Sequence, residues 1–171
     1  MLIRIERSED VDDISAVLAD AFRRPDVDGT PPEVELVSAL RASDAWIPQQ
    51  SQVAVEDEVV IGYCLCTRAL LEGTRVLALG PIGVVPRHQS RGVGSALIWN
   101  AIGIAENMGE QLIGLLGDPA YYERFGFMPA AEAGVEPPNP AWGSYFQVLM
   151  LARDVGATGR FTYPEPFLPM S

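Results

Sequence analysis

The chain of 171 residues contains no lysine, one histidine and two cysteines, and its 12 arginines stand against 23 acidic residues, for a net charge of −11. A protein that grips a phosphate backbone needs a basic face, so nucleic acid is excluded as a partner. Without lysine there is no Gly-Lys-Ser/Thr loop of the nucleotide-hydrolase type. Cys64, Cys66 and His88 are too few for a metal site built on sulfur and imidazole, so no metal is expected. In "GYCLCT" the two cysteines lie two apart on a strand, on the same side, and cannot bridge without distortion. They read as small buried residues of a reducing compartment. No uninterrupted apolar stretch approaches membrane-spanning length, and "MLIRIERSED" lacks the apolar core of a secretory signal. The expectation is a cytoplasmic protein with no membrane partner. The excess of acid serves solubility in the first place, and it also suits a cationic small substrate.

What is present is an ordinary globular composition, 48% hydrophobic and 20% charged, of a length suited to one domain. "LIRIE" alternates as a short strand. In "SEDVDDISAVLADAF" apolar residues recur at helical spacing behind Ser8 as N-cap. "TPPEVELVSALRAS" predicts a second helix, with Thr30 and Glu33 at capping-box spacing and prolines in the first turn. "SQVAVEDEVVIGYCLCTRAL" reads as two strands about an acidic turn at Glu56–Glu58. "TRVLALGPIGVVP" is a further strand, which Gly80-Pro81 must interrupt with a bulge or a missing ladder bond. The helix "GSALIWNAIGIAENM" ends at Gly109, and "QLIGLLG" fits a strand buried on both faces. Asp118 and Pro119 open a short helix in "DPAYYERFGF" that Gly126 closes. A proline-rich loop, the strand "YFQVLMLAR" and a Gly/Pro-rich tail with three spaced aromatics follow. The order describes a single α/β domain with an antiparallel front and a strand–helix–strand unit in the middle.

"RHQSRGVGSAL", residues 87–97, sits at a strand-to-helix junction and is locally basic in an acidic chain. A dinucleotide fingerprint requires a third glycine and repeated strand–helix units, both missing here. A plain surface turn would account for two glycines. An anion site accounts for more: a helix start offers N–H groups with no internal partner, the helix dipole adds positive character, glycine admits a close ligand, and Arg87 and Arg91 add charge. A pyrophosphate suits such a turn.

Gln89-Ser90-Arg91-Gly92-Val93-Gly94-Ser95-Ala96-Leu97 resembles the Gln/Arg-x-x-Gly-x-Gly/Ala signature of the GNAT superfamily of N-acetyltransferases. "GVVPRHQ" resembles that family's strand ending in Val-x-Pro, and "YYERFGF" its Tyr-x-x-x-Gly-Phe segment. "LGDPAYYERFGF" with the later "FQVLML" and "GRFTYPEPF" is similar to one bacterial branch of predicted acetyltransferases. The resemblance runs from the first helix to the tail.

The resemblance implies a GNAT-like fold, a mixed and mostly antiparallel sheet with a splayed central strand pair flanked by helices. It places an N-acetyltransferase domain over residues 1–153, with the tail, 154–171, packed on it. Acetyl-CoA is the implied co-substrate. Its pyrophosphate would rest on Gln89, Ser90, Arg91, Gly92, Val93, Gly94, Ser95 and Ala96. Its pantetheine arm would pair with free backbone groups along Ile82–Val85, with Ile82, Val84 and Val85 as contacts. Tyr122 would protonate the leaving thiolate, and Tyr121 would pack on the core. The acceptor would be a small-molecule or peptide amine attacking the thioester directly, and a homodimer is compatible with the reading. The strand "VLALGPIGVV" carries no carboxylate, so the base is left open among a water wire, a carboxylate from elsewhere and an amine that arrives neutral. The same gap sustains an alternative, a non-catalytic acyl-CoA sensor. His88 reads as a solvated turn residue with no catalytic role, the alternative being contact with the 3′-phosphate of CoA. Asp26, Asp28, Glu33 and Glu35 either attract an amine or form a solvated acidic face.

Overall fold

Two tight hairpins organise the front of the sheet. In the computed structural model, which describes residues 1–153 and 156–170, strands β1 (Leu2–Ile5), β2 (Ser51–Glu56), β3 (Val59–Leu71) and β4 (Thr74–Val84) follow one another antiparallel. Asp57 and Glu58 join β2 to β3 with φ of 49° and 65°, and Glu72 and Gly73 join β3 to β4 with φ of 45° and 81°. Two left-handed residues in a two-residue loop match the twist of the strands they connect. The Glu72 carboxylate accepts the Arg160 amide at 2.7 Å.

Three helices cover this sheet: α1 (Val11–Ala21), α2 (Pro32–Arg41) and α3 (Val93–Asn107). Gly62 of β3 stands opposite Val84, and Gly83 of β4 opposite Tyr63, so the two glycines face opposite sides. A Cβ on Gly62 would meet Val93 and Leu97 of α3 at 3.0–3.1 Å, and one on Gly83 would meet Ala21 of α1 at 3.1 Å. Missing side chains thus let α1 and α3 approach the sheet from its two faces. β5 (Leu112–Leu116), the short α4 (Pro119–Tyr122), β6 (Met128–Pro129), β7 (Val135–Glu136), β8 (Phe146–Met150) and β9 (Gly159–Thr162) complete the order. The sheet runs β1-β2-β3-β4-β5-β8-β6, with β9 against the end of β3 at Leu70 and Leu71. This is the expected single-domain α/β architecture with a mixed sheet. Of the tail, Asp154, Val155 and Ser171 lie outside the described residues.

Two capping expectations are corrected. Ser8–Asp10 form a separate 3-10 turn ahead of α1; Asp10 holds the N-cap position of α1 without a side-chain cap, and its carboxylate instead accepts the Arg7 amide at 2.7 Å and pairs with Arg4 at 2.6 Å. Thr30 does not cap α2, which starts at Pro32 with Pro31 in the cap position and no side-chain cap. Pro31 and Pro32 have no N–H to satisfy, and the Val34 amide bonds the Pro31 carbonyl at 3.1 Å. Glu33 is thereby freed from the capping-box role. Cys64 and Cys66 are free and fully buried as expected, and burial pushes the Cys64 thiol up to about 12. No helix among the described residues is long and apolar enough to cross a membrane.

Candidate active site

β4 and β5 are parallel neighbours for only two positions, Leu77 beside Ile113 and Ala78 beside Gly114. Beyond them β5 stays with β8 through Leu116, while β4 turns away. The cause lies in the register with β3: Cys66 faces Leu79 and Cys64 faces Ile82, so Leu65 is set against both Gly80 and Pro81. That bulge, at the interruption the sequence predicts, opens a gap between the two strands.

Pairing of β4 with β3 decides which backbone groups face the gap. The Val85 amide donates to the Ile61 carbonyl at 3.0 Å. By alternation, Gly83 also turns its groups to β3, whereas Ile82 and Val84 turn theirs away. The Val84 carbonyl is taken by the Gln89 side chain, whose Nε2 donates at 2.9 Å. Ile82 and Val84 therefore present backbone to the gap. Val85 does not, because its N–H is occupied and its side chain is buried.

Gln89 ties the following turn to β4. Ser90 and Gly92 have φ of 58° and 84°, and Gly92 occupies the N-cap of α3 without a side-chain cap. The first amides of the helix, Val93, Gly94 and Ser95, therefore have no carbonyl within it to bond. Gln89, Ser90, Arg91 and Gly92 are exposed, Gly94, Ser95 and Ala96 are half-buried, and the Val93 side chain is buried against Gly62. Arg87 and Arg91 are exposed, and neither pairs with a carboxylate among the described residues. His88 is not a solvated residue: it is half-buried and its Nε2 lies 3.2 Å from Glu56.

On the other side of the gap Asp118 caps α4, accepting the Ala120 amide at 3.0 Å, and Gly126 ends the turn that follows with φ of 92°. The two tyrosines of α4 separate. The Tyr122 ring fills the space a Cβ on Gly117 would need and stands edge-on to Phe127. Its hydroxyl has no hydrogen-bond partner among the described residues, and burial holds its pKa well above the usual phenol value. Tyr121 points elsewhere, with its hydroxyl 3.2 Å from where a Cβ of Gly94 would stand, over the start of α3. The Arg124 guanidinium covers the Tyr121 ring at 4.7 Å.

The gap opens into a cavity of about 330 Å³. Leu79, Gly80, Pro81, Ile82, Leu116 and Tyr122 line it from the strands of the gap and α4. Phe22 at the end of α1, Glu33 and Leu36 of α2, and Trp142, Tyr163 and Phe167 from beyond β7 form the remainder. Two of the tail's three aromatics, Tyr163 and Phe167, thus belong to the cavity wall, a role that spacing did not reveal. Of the four acids around α2, Asp26, Asp28 and Glu35 are exposed. Glu33 is 9% exposed, and its Oε2 is buried with no hydrogen-bond partner among the described residues.

A parallel pair that splays after two positions, a glycine-led helix start at its mouth and a buried tyrosine across it define an acetyltransferase fold. Residues 14–127 match the acetyltransferase (GNAT) family, and the chain belongs to that family. It is 33% identical over 172 aligned residues, 98% of each protein, to the uncharacterized N-acetyltransferase YhbS of Escherichia coli strain K12. The crystal structure of Escherichia coli YhbS in complex with CoA has a TM-score of 0.86 to this chain at 31% identity, covering 97% of this chain and 91% of that one. A GNAT family acetyltransferase from Brucella melitensis in complex with acetyl-CoA has a TM-score of 0.79 at 34% identity, covering 97% of each. The protein is an acyltransferase.

Proposed function

We propose that the protein transfers the acetyl group of acetyl-CoA to a primary amine by direct attack while both substrates are bound. The observation that carries this reading is the parting of β4 from β5 at the Gly80-Pro81 bulge, with Ile82 of β4 and Tyr122 of α4 lining one cavity. The relatives solved with CoA and with acetyl-CoA support the choice of donor.

The turn from Gln89 to Ala96 would hold the pyrophosphate on the amides of Val93, Gly94 and Ser95, with Arg87 and Arg91 screening its charge. Ile82 and Val84 would pair with the amides of the pantetheine arm as an added strand does. An outward N–H of β4 would polarise the thioester carbonyl. Tyr122, kept neutral by burial, would give its proton to the departing sulfur. Alignment of the two reactants in one channel would supply most of the acceleration.

The test is release of CoA thiol from acetyl-CoA in the presence of a panel of amines, with acetyl-CoA binding followed by calorimetry. Amine-dependent release with matching formation of the acetamide is expected. Tight acetyl-CoA binding without release for any amine would replace this reading with that of a sensor.

A further inference from the structure

Glu33 is the feature of the cavity that neither packing nor the donor channel explains. A buried carboxylate is costly unless a cation or donors meet it. Here Oε2 has no partner among the described residues, and none of the residues lining the cavity carries positive charge. Its place in the first turn of α2 lets the helix dipole favour the anion, but supplies no bond to Oε2. Around it the wall is apolar and aromatic, from Phe22, Leu36, Trp142 and Phe167, and among the described residues that line the cavity it is the sole charged one. Tyr122, on which the proposed function places the acid, lines the same cavity.

We infer that Glu33 receives the ammonium group of the acceptor and takes a proton from it, and that the cavity selects a monoamine carried on an apolar body. The inference rests on the acetyl-transfer reading. One carboxylate matches one cation, and a polyamine or an aminoglycoside would bring further cations against an aromatic wall with nothing to receive them. The protons balance. Glu33 takes one proton from the ammonium. The neutral nitrogen forms a bond to the thioester carbonyl carbon, and the C–S bond breaks with its electron pair left on sulfur. Tyr122 gives its proton to that sulfur and is restored by the second proton lost from nitrogen. The proton on Glu33 passes to solvent. Amide, CoA thiol and one proton are the products.

The experiment compares the parent, Glu33→Gln and Phe167→Ala on 2-phenylethylamine, ethylamine and spermidine, with acetyl-CoA affinity measured by calorimetry and folding by melting temperature. The parent should prefer 2-phenylethylamine to spermidine by roughly tenfold or more in kcat/KM. Glu33→Gln should lower kcat/KM for 2-phenylethylamine by roughly 10²-fold or more, since both the ion pair and the base are lost, while acetyl-CoA affinity is unchanged. Phe167→Ala leaves the carboxylate in place and should raise KM for 2-phenylethylamine more than for ethylamine. It gives an answer even if Glu33→Gln fails to fold. A folded Glu33→Gln protein with parental activity, a parent that prefers spermidine, or equal changes for the two monoamines in Phe167→Ala would overturn the inference and leave acetyl transfer standing. A parent that binds acetyl-CoA and acetylates no amine would overturn both.

Discussion

The Tyr121 hydroxyl stands 3.2 Å from the point that a Cβ on Gly94 would occupy, so the second glycine of the turn and a residue some thirty positions later close one space. Tyr122, its neighbour, lines the cavity instead. The pair should therefore dissociate on mutation. Tyr122→Phe keeps the ring and should lower kcat by roughly 10²-fold with acetyl-CoA affinity retained. Tyr121→Phe should weaken acetyl-CoA binding and leave kcat near the parental value. Steady-state kinetics with calorimetry distinguishes the two, and a parental kcat for Tyr122→Phe, with chemistry limiting, would remove it from the mechanism.

The two glycines of the turn should fail differently. A Cβ on Gly92 would find open space, but φ of 84° is left-handed, so Gly92→Ala should cost about 1–2 kcal/mol of stability, read by urea unfolding. Gly94 lies within the helix, where a larger side chain pushes on Tyr121 and Val84. Gly94→Val should fold and lose acetyl-CoA affinity, and unchanged affinity would refute the phosphate assignment.

Arg87 and Arg91 are exposed and unpaired by carboxylates, so their contribution to binding should be long-range and screened. The double substitution to alanine should raise Kd for CoA at low salt and narrow the difference from the parent as salt is added. Equal affinities at low salt would leave the backbone amides as the whole anion site.

Alkaline pH should unfold the protein for a definable reason. Burial raises the pKa of Tyr63, Tyr122 and Tyr163 above the usual 10.0, and of Cys64 and Cys66 above 9.0. Below those usual values both states hold these protons, and stability is complete. Above them the unfolded chain releases protons that the folded one retains, so stability falls as pH rises. The melting temperature should be flat to about pH 8 and drop beyond pH 9, and Cys64→Ala should shift the onset upward. Asp10 works in the opposite sense. The hydrogen-bonded Arg4 lowers its pKa below 3.8, so its contribution is present above that value and is lost as pH falls through the folded pKa.

Much of this was legible from residue order. Gly80-Pro81 announced the bulge, since a proline cannot continue a ladder, and the bulge is what parts β4 from β5. The glycine-led helix start with its unpartnered amides was legible because its requirements are local. Glu33 was not. Four acids around α2 look alike in sequence, and only the path of α2, starting at Pro32, turns one of them into the cavity. Tyr121 packs on the core as expected, edge-on to Tyr122 and Phe125, but the approach of its hydroxyl to Gly94 was not legible, because neighbours on a short helix diverge by about 100° and what each meets depends on chain segments far away. That Ile82 and Val84 turn their amides outward while Val85 donates to Ile61 was not legible, since the phase of the β3 ladder does not show in the residues themselves.

The pairing of β9 with the end of β3 brings Tyr163 and Phe167 to a cavity that β4, β5 and α4 also line. The wall on that side hangs from a strand that carries no part of the glycine-led turn. If, as proposed, the acceptor lies against that wall, substitutions at Tyr163 and Phe167 would change acceptor choice while the glycine-led turn and the splayed pair keep their geometry.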